Sequence, residues 1–463
     1  MAPFVSGLDD QQIADLAAFY SQMTPTPGQG GGDADEALLE RGEMIALRGD
    51  WSVYLVSCNS CHGPENRGAG TTFPGIAGQH AGYIESQLRA WQDGTRDNDP
   101  QDLMGTMARR MREEDIRAVA AWLSRQDPGT SQEESAPVSA AAGSTGALAE
   151  QDTEQYVATL TELGFPAPED NELVHIPPTI DELADTDLHP ELKRVIRRGH
   201  DLFTNTQQLR GENVFNAMNC SSCHLGDGRL PFSGPTWPAA VVLPDFRGKN
   251  DHVNNLEERI AGCFTYSMNG KPPAYGSDDM LALVAYHRWM ATGVPMYPAH
   301  PIYGRGYPAP ERPEEVSYER GKETFEANCA VCHGEDGNGL QLDGRTVFPA
   351  PWGDLSNNWG AGIVRLFTAA GFIKSNMPLG QPNSLSDQEA WNVAYYLNSQ
   401  ERPQDPRYTG DVAETRELYG PTFHQHSRYG QTRETDGHVL GDHANTGEKD
   451  FLKPDMIRPR DFE

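Results

Sequence analysis

The chain has 463 residues, 67 acidic against 37 basic side chains and a formal charge of −30, which excludes nucleic acid and anionic membrane surfaces as natural partners. No uninterrupted apolar stretch reaches the length of a membrane span, and residues 1–30 lack the basic start, apolar run and small-residue cleavage site of an export signal. A length of this order suits roughly three domains, and a small dianion entering so acidic a protein needs a locally basic pocket.

Of the 7 cysteines, all but Cys263 fall into Cys-x-x-Cys-His motifs: Cys58/Cys61/His62, Cys220/Cys223/His224 and Cys329/Cys332/His333. This is the attachment signature of haem c, in which two thioethers fix the porphyrin and the adjacent histidine becomes an axial iron ligand. No second Cys-x-x-Cys or spaced histidine pair completes a zinc site near any copy. Three covalently bound haem c groups are expected, and with them a periplasmic location, because haem c is attached after export. The hydrophobic content of 37% is modest, but a porphyrin inside each domain adds apolar core that composition does not count.

In chain order, residues 1–30 read as the C-terminal remnant of a cytochrome c domain. Met1…Phe4…Ile13…Leu16…Phe19-Tyr20-Ser21 matches Met104…Met107…Ile116…Val119…Trp122-Leu123-Ser124 at a constant shift of 103, a methionine loop followed by an amphipathic helix in both copies. Residues 31–126 form a monohaem domain, and 127–153 a Ser/Ala/Gly/Pro linker without periodicity. Two further haem modules follow, at 154–300 and 301–405. Each opens with a helix carrying Gly-x-x-x-Phe (Gly199/Phe203, Gly321/Phe325) and closes with an aromatic helix (Tyr286 and Trp289; Trp391 and Tyr395). From about 402 the chain turns polar, with His424, His426, His438 and His443 in no ligand spacing; 406–463 is expected to be an extended C-terminal arm without chemistry. The fold class is mainly α, as tandem class I cytochrome c-like domains joined by linkers.

Methionine opposite histidine suits an electron-transfer haem. Met104 lies 43 residues after Cys61 and Met377 45 after Cys332, each ahead of the module's last helix. In the middle module the same spacing nominates Met268, 45 residues after Cys223, and leaves Cys263 a small buried hydrophobe. Against that stands a basic neighbourhood in an acidic protein: Arg259 one turn before Cys263, Ser267 and Lys271 after it, Arg247 and Lys249 upstream. Cations beside a cysteine favour a reactive sulfur and an anionic substrate. Spacing and composition leave the two readings open.

Residues 197–403 resemble thiosulfate dehydrogenase, the dihaem enzyme that couples two thiosulfates into tetrathionate. The resemblance is carried by Asn219-Cys-Ser-Ser-Cys-His-Leu-Gly-Asp-Gly-Arg229, Leu256-Glu-Glu-Arg-Ile-Ala-Gly-Cys263-Phe264 with Ser267-Met-Asn-Gly-Lys271, Cys332-His-Gly-Glu-Asp-Gly-Asn-Gly339, Phe348-Pro-Ala-Pro-Trp-Gly353 and Ala361-Gly-Ile-Val-Arg365 with Phe372-Ile-Lys-Ser-Asn-Met-Pro-Leu-Gly380. Residues 41–126 are similar to one half of a dihaem class I cytochrome c, which some family members carry fused as electron acceptor. The resemblance implies Cys263 as distal ligand of the His224 haem and reactive group, with Met268 as packing. It places Arg259, Ser267 and Lys271 near the substrate sulfonates, with Arg247 or Lys249 at the upstream basic position. Asn376 stands where some members carry a lysine ligand. The implied function is periplasmic oxidation of thiosulfate to tetrathionate, reversible in principle, with electrons passing to the Met377-ligated and then the Met104-ligated haem. An external small cytochrome or iron–sulfur protein would receive them. The rivals are a non-catalytic multihaem wire with His/Met ligation throughout, and an enzyme for another sulfur oxyanion.

Overall fold

In the computed structural model, residues 7–23, 34–99, 101–129, 153–247, 252–420 and 423–442 are described, and helices dominate. Those of eight or more residues are α1 (Asp10–Ser21), α2 (Glu36–Leu47), α3 (Ala81–Gln92), α4 (Leu103–Arg110), α5 (Glu113–Leu123), α6 (Thr153–Glu162), α7 (Pro190–Thr204), α8 (Leu256–Tyr266), α9 (Asp278–Met290), α10 (Tyr318–Asn328), α11 (Leu366–Asn376), α12 (Asp387–Leu397) and α13 (Val412–Tyr419). Two antiparallel ribbons complete the set, β1 (Asp245–Arg247) with β2 (His252–Asn254) and β3 (Leu340–Leu342) with β4 (Arg345–Phe348). Among the described residues no helix is long and apolar enough to cross a membrane.

The helix pairs α2/α5, α7/α9 and α10/α12 are built on one device. A Cβ added at Gly42 would lie 2.2 Å from the Ala118 carbonyl oxygen; at Gly199 it would lie 2.0 Å from that of Ala282, and at Gly321 2.1 Å from that of Asn392. Only glycine permits backbone approach this close, and the Cβ of Trp122, Tyr286 or Tyr396 roofs the contact. The expected first-to-last helix packing is therefore present at Gly199 and Gly321. In the last module the aromatic partner is Tyr396, one position beyond the expected Tyr395, whose hydroxyl instead donates to Glu434. The third instance, Gly42 beneath Trp122, carries no Gly-x-x-x-Phe signature, because Ala46 stands where the other modules have phenylalanine.

The chain divides into two units. The smaller takes the described residues within Met1–Gly49, Ser57–Arg96 and Met111–Ala141; the larger takes those within Asp50–Val56, Asp97–Arg110 and Ala142–Glu463. In the smaller unit, α5 buries Ile116, Val119 and Leu123, whereas its sequence repeat α1 leaves Ile13, Leu16, Phe19 and Tyr20 exposed. Asp9 and Gln12 form a capping box that starts α1. Met1 and Phe4 lie outside the described residues, as do most of the 127–153 linker and 443–463.

Within the larger unit the modules expected at 154–300 and 301–405 share hydrogen bonds. The Asn216 side-chain amide donates to the carbonyls of Ser267 (2.7 Å) and Ser356 (2.9 Å), and the Thr346 hydroxyl to Ala217 O (2.7 Å). α4, expected to belong with 31–126, groups with this unit. Arg110 donates to the carbonyls of Tyr54 (2.7 Å) and Gly380 (2.6 Å), and Gln381 donates to Gln101 O at 2.7 Å.

The polar segment from 402 departs from the expected extended arm. Phe423, Tyr429 and Leu440 are fully buried against Trp359 and Val364, with α13 contributing Val412. Asp405, also fully buried, accepts from Arg407 at 2.7 and 2.9 Å and pairs with His424 Nε2 at 2.9 Å. The segment looks polar because its charges are satisfied against one another. Ser427 Oγ lies 3.0 Å from His424 Nδ1, so Ser427, His424 and Asp405 match a hydrolytic triad in composition, but burial closes the serine to any substrate.

Candidate active site

The site is assembled on α8. Asn255 and Glu258 close a capping box at its start, and Ile260, Ala261 and Phe264 anchor its inner face. Cys263 and Arg259 stand one turn apart on the same helix face, and Arg259 Nη1 lies 3.0 Å from Cys263 Sγ. The helix ends at Ser267, whose N–H donates to Cys263 O at 2.8 Å.

Cys263 opens onto a pocket that is also lined by Cys220, Cys223, His224, Ser267, Met268 and His287. His224 Nδ1 donates to Gly234 O at 2.5 Å, which leaves Nε2 free to face the cavity. Burial pushes His224 down to about 4, so the ring is neutral at physiological pH, the form that ligates a metal. The same bracing recurs in the other motifs: His62 Nδ1 to Pro74 O and His333 Nδ1 to Pro349 O, both at 2.7 Å. A backbone acceptor on Nδ1 fixes the tautomer and ring orientation of a ligating histidine. Burial pushes the thiols of Cys58, Cys220, Cys223 and Cys329 up to about 12, an environment unsuited to a freely exchanging dithiol. Among the described residues no group of three or more His, Cys, Asp or Glu side chains is arranged to hold a bare metal ion. These features fit haem c, with thioethers on the cysteine pairs and iron on histidine Nε2.

Several expected site residues meet here. Arg247, at the end of β1, approaches α8 at Gly262, its Nη1 3.8 Å from where a Cβ would stand. Burial, with the Arg259 charge adding to it, pushes Arg247 down to about 10. Met268 lines the same cavity and is buried, its N–H donating to Cys263 O at 3.0 Å. Lys271 shares two hydrogen bonds with Asn213 through its backbone, while its side chain is exposed. Lys249 lies outside the described residues. In the last module Met377 packs against the cluster of Ala370, Ile373 and Trp391. The neighbouring Asn376 is buried, its amide donating to the carbonyls of Phe232 (3.2 Å) and Phe372 (3.0 Å) and its oxygen meeting the Ser233 hydroxyl. Met104 sits at the start of α4 in the larger unit, and Met107, one turn on, packs against Gly380. Two contributors had no sequence signal: His287, a fully buried neutral ring on the cavity wall, and Tyr307, whose hydroxyl donates to Cys223 O at 2.9 Å. Arg365 stood within a family stretch, but nothing in the sequence showed that its charge bears on Arg259.

Three histidines braced alike, each beside its cysteine pair, define a c-type cytochrome with several haem domains. Family models agree: "Cytochrome c" matches residues 52–127, "SoxA/TsdA, cytochrome c domain" 199–296 and "Cytochrome C oxidase, cbb3-type, subunit III" 316–397. A thiosulfate dehydrogenase from Stutzerimonas stutzeri is 47% identical over 249 residues, spanning 53% of this chain and 80% of that protein. A thiosulfate dehydrogenase electron acceptor from Thiomonas intermedia is 42% identical over 126 residues, 27% of this chain and 58% of its own length. The solved structure of the thiosulfate dehydrogenase TsdBA from Marichromatium purpuratum aligns with a TM-score of 0.80 at 36% identity, covering 96% of this chain and 86% of that one. The chain belongs to the thiosulfate dehydrogenase family.

Proposed function

We propose that the protein is a periplasmic thiosulfate dehydrogenase with its cytochrome acceptor in the same chain, and that Cys263 is its reactive sulfur. The observation that carries this is the guanidinium of Arg259 placed 3.0 Å from Cys263 Sγ, in a cavity shared with Cys220, Cys223 and His224. A cysteine buried only for packing has no use for a positive charge on its sulfur. A sulfur that must receive a dianion does.

In this reading Cys263 and His224 would together hold one haem iron, with Met268 packing beside the sulfur. Met377 with His333 and Met104 with His62 would hold the other two, for three covalent haem c groups. Two thiosulfates each lose one electron and join through a new sulfur–sulfur bond, and the main obstacle is repulsion between two dianions. Arg259 and Arg247, with Lys271 or Lys249 on the approach, offset that repulsion, and Ser267 offers a hydroxyl to a sulfonate oxygen. Bonding of one sulfane sulfur to the Cys263 thiolate releases both electrons, and displacement of that thiolate by the second thiosulfate forms tetrathionate with no further redox change. Haem held at the His224, His333 and His62 motifs would supply one-electron uptake, so that these residues mark the route by which the two electrons leave. An external small cytochrome or iron–sulfur protein receives them.

The test is tetrathionate formation by the holoprotein, with Cys263→Ala alongside. The oxidised protein should show the spectrum of a thiolate-ligated low-spin haem, and the variant should lose both that signature and thiosulfate-driven haem reduction. Undiminished reduction in Cys263→Ala would leave the non-catalytic wire as the better description.

A further inference from the structure

We propose that Arg365 is a further cationic contact for the substrate sulfonate, held at the site by the segment that follows the last haem module; this rests on the thiosulfate reading above. Arg365 sits at the entry to α11, where its Nε donates to Gly362 O at 3.3 Å. Its backbone pairs antiparallel with Ser427, and its guanidinium lies over the rings of Phe367 (5.1 Å) and Phe423 (5.7 Å). Phe423 is fully buried and also carries Arg407 over its ring at 5.1 Å. Arg407 reaches Tyr266, the last residue of α8, at 5.3 Å. Asn358 fastens the preceding loop to the same helix end, donating to Thr265 O (2.9 Å) from its side chain and to Tyr266 O (3.2 Å) from its backbone. The core that holds Arg365 is thereby fixed to the end of the helix that bears Cys263, with Tyr266 packed against the cluster of Val364 and Phe423.

The electrostatics agree with this placement. Burial and then the Arg259 charge hold Arg365 below its ordinary value, and Arg247 responds to Arg259, Cys263 and Arg365 together. Among the described residues neither Arg247 nor Arg365 forms an ion pair with a carboxylate. Asp405, the buried acid of the adjoining core, is already taken by Arg407 and His424. Gathering half-buried guanidinium groups without counter-ions is costly in a folded chain, and in so acidic a protein it is a specific arrangement. Two thiosulfate dianions supply the missing charge. Arg259 is engaged with the cysteine sulfur, so Arg365, arriving from a different element, suits the sulfonate end of a substrate whose sulfane sulfur meets Cys263.

Thiosulfate binding by calorimetry, with the haems kept reduced so that no turnover occurs, decides the proposal. Arg365→Met should weaken binding tenfold or more, with an unchanged haem spectrum and unfolding temperature. Arg365→Lys, which keeps the charge but loses the planar fork, should fall between the two. Wild-type affinity in Arg365→Met, or no binding by the wild type, overturns the proposal. If Arg365→Met fails to take up haem, Arg365→Lys decides alone, and an affinity within twofold of wild type overturns it. Tetrathionate production by the wild type is scored separately, so failure of the proposed reaction is distinguishable from failure of Arg365 as an anion contact.

Discussion

The His224 and His333 pockets share a frame and differ in what faces the ring. Both histidines are braced by a backbone carbonyl, and both modules cross their first and last helices over a glycine. Around His224, however, the wall carries a cysteine with a guanidinium on its sulfur and two further arginines nearby, whereas Met377 lies among Ala370, Ile373 and Trp391. On the proposed function, the difference teaches that a reactive centre can be made from an electron-transfer frame by changing one wall and its charge.

The largest expected effect comes from removing what sets the walls apart. Cys263→Ala should slow thiosulfate-driven haem reduction on the order of 10³-fold or more, while Met377→Ala should preserve the thiolate spectrum and impair only onward transfer. Asp405→Asn should cost about 3–5 kcal/mol in denaturant unfolding, because it strips the charged partner from buried Arg407. Arg407 and His424 hold the Asp405 carboxyl well below its ordinary range. Its contribution to stability is therefore complete above about pH 4, the unfolded-state value, and is lost as pH falls toward the folded one. Arg259→Gln should lower kcat/KM about 10–100-fold and weaken the salt dependence of thiosulfate oxidation. Gly199→Ala and Gly321→Ala should each destabilise by about 1–3 kcal/mol. Similar losses in the two modules would confirm the shared frame, and a clear inequality would break it.

The haem modules were legible because covalent attachment demands a fixed five-residue motif, and because helix closure needs a glycine in the first helix of each pair. The aromatic partner in the last module was missed by one residue, since helical periodicity does not separate Tyr395 from Tyr396 when both are aromatic. Gly42 over α5 went unnoticed for want of a phenylalanine four positions on. The segment after 402 was opaque for a different reason. Its core joins Phe423 and Tyr429 to the distant Trp359, and its burial rests on the Asp405–Arg407–His424 pairing, which reads in sequence as solvated charge. Around Cys263, Arg259 was legible from one-turn spacing, whereas the bearing of Arg365 on the site depends on a backbone pairing with Ser427.

The glycine crossings also bear on how such a protein can change over generations. At Gly42, Gly199 and Gly321 the closure of each module is a contact between main chains, so it is indifferent to most side chains elsewhere on the two helices. Drift in those side chains leaves the crossing untouched, and a duplicated module can exchange the residue opposite its histidine without reopening the helix pair. Innovation is confined to the pocket wall, and inheritance to three positions where no side chain fits.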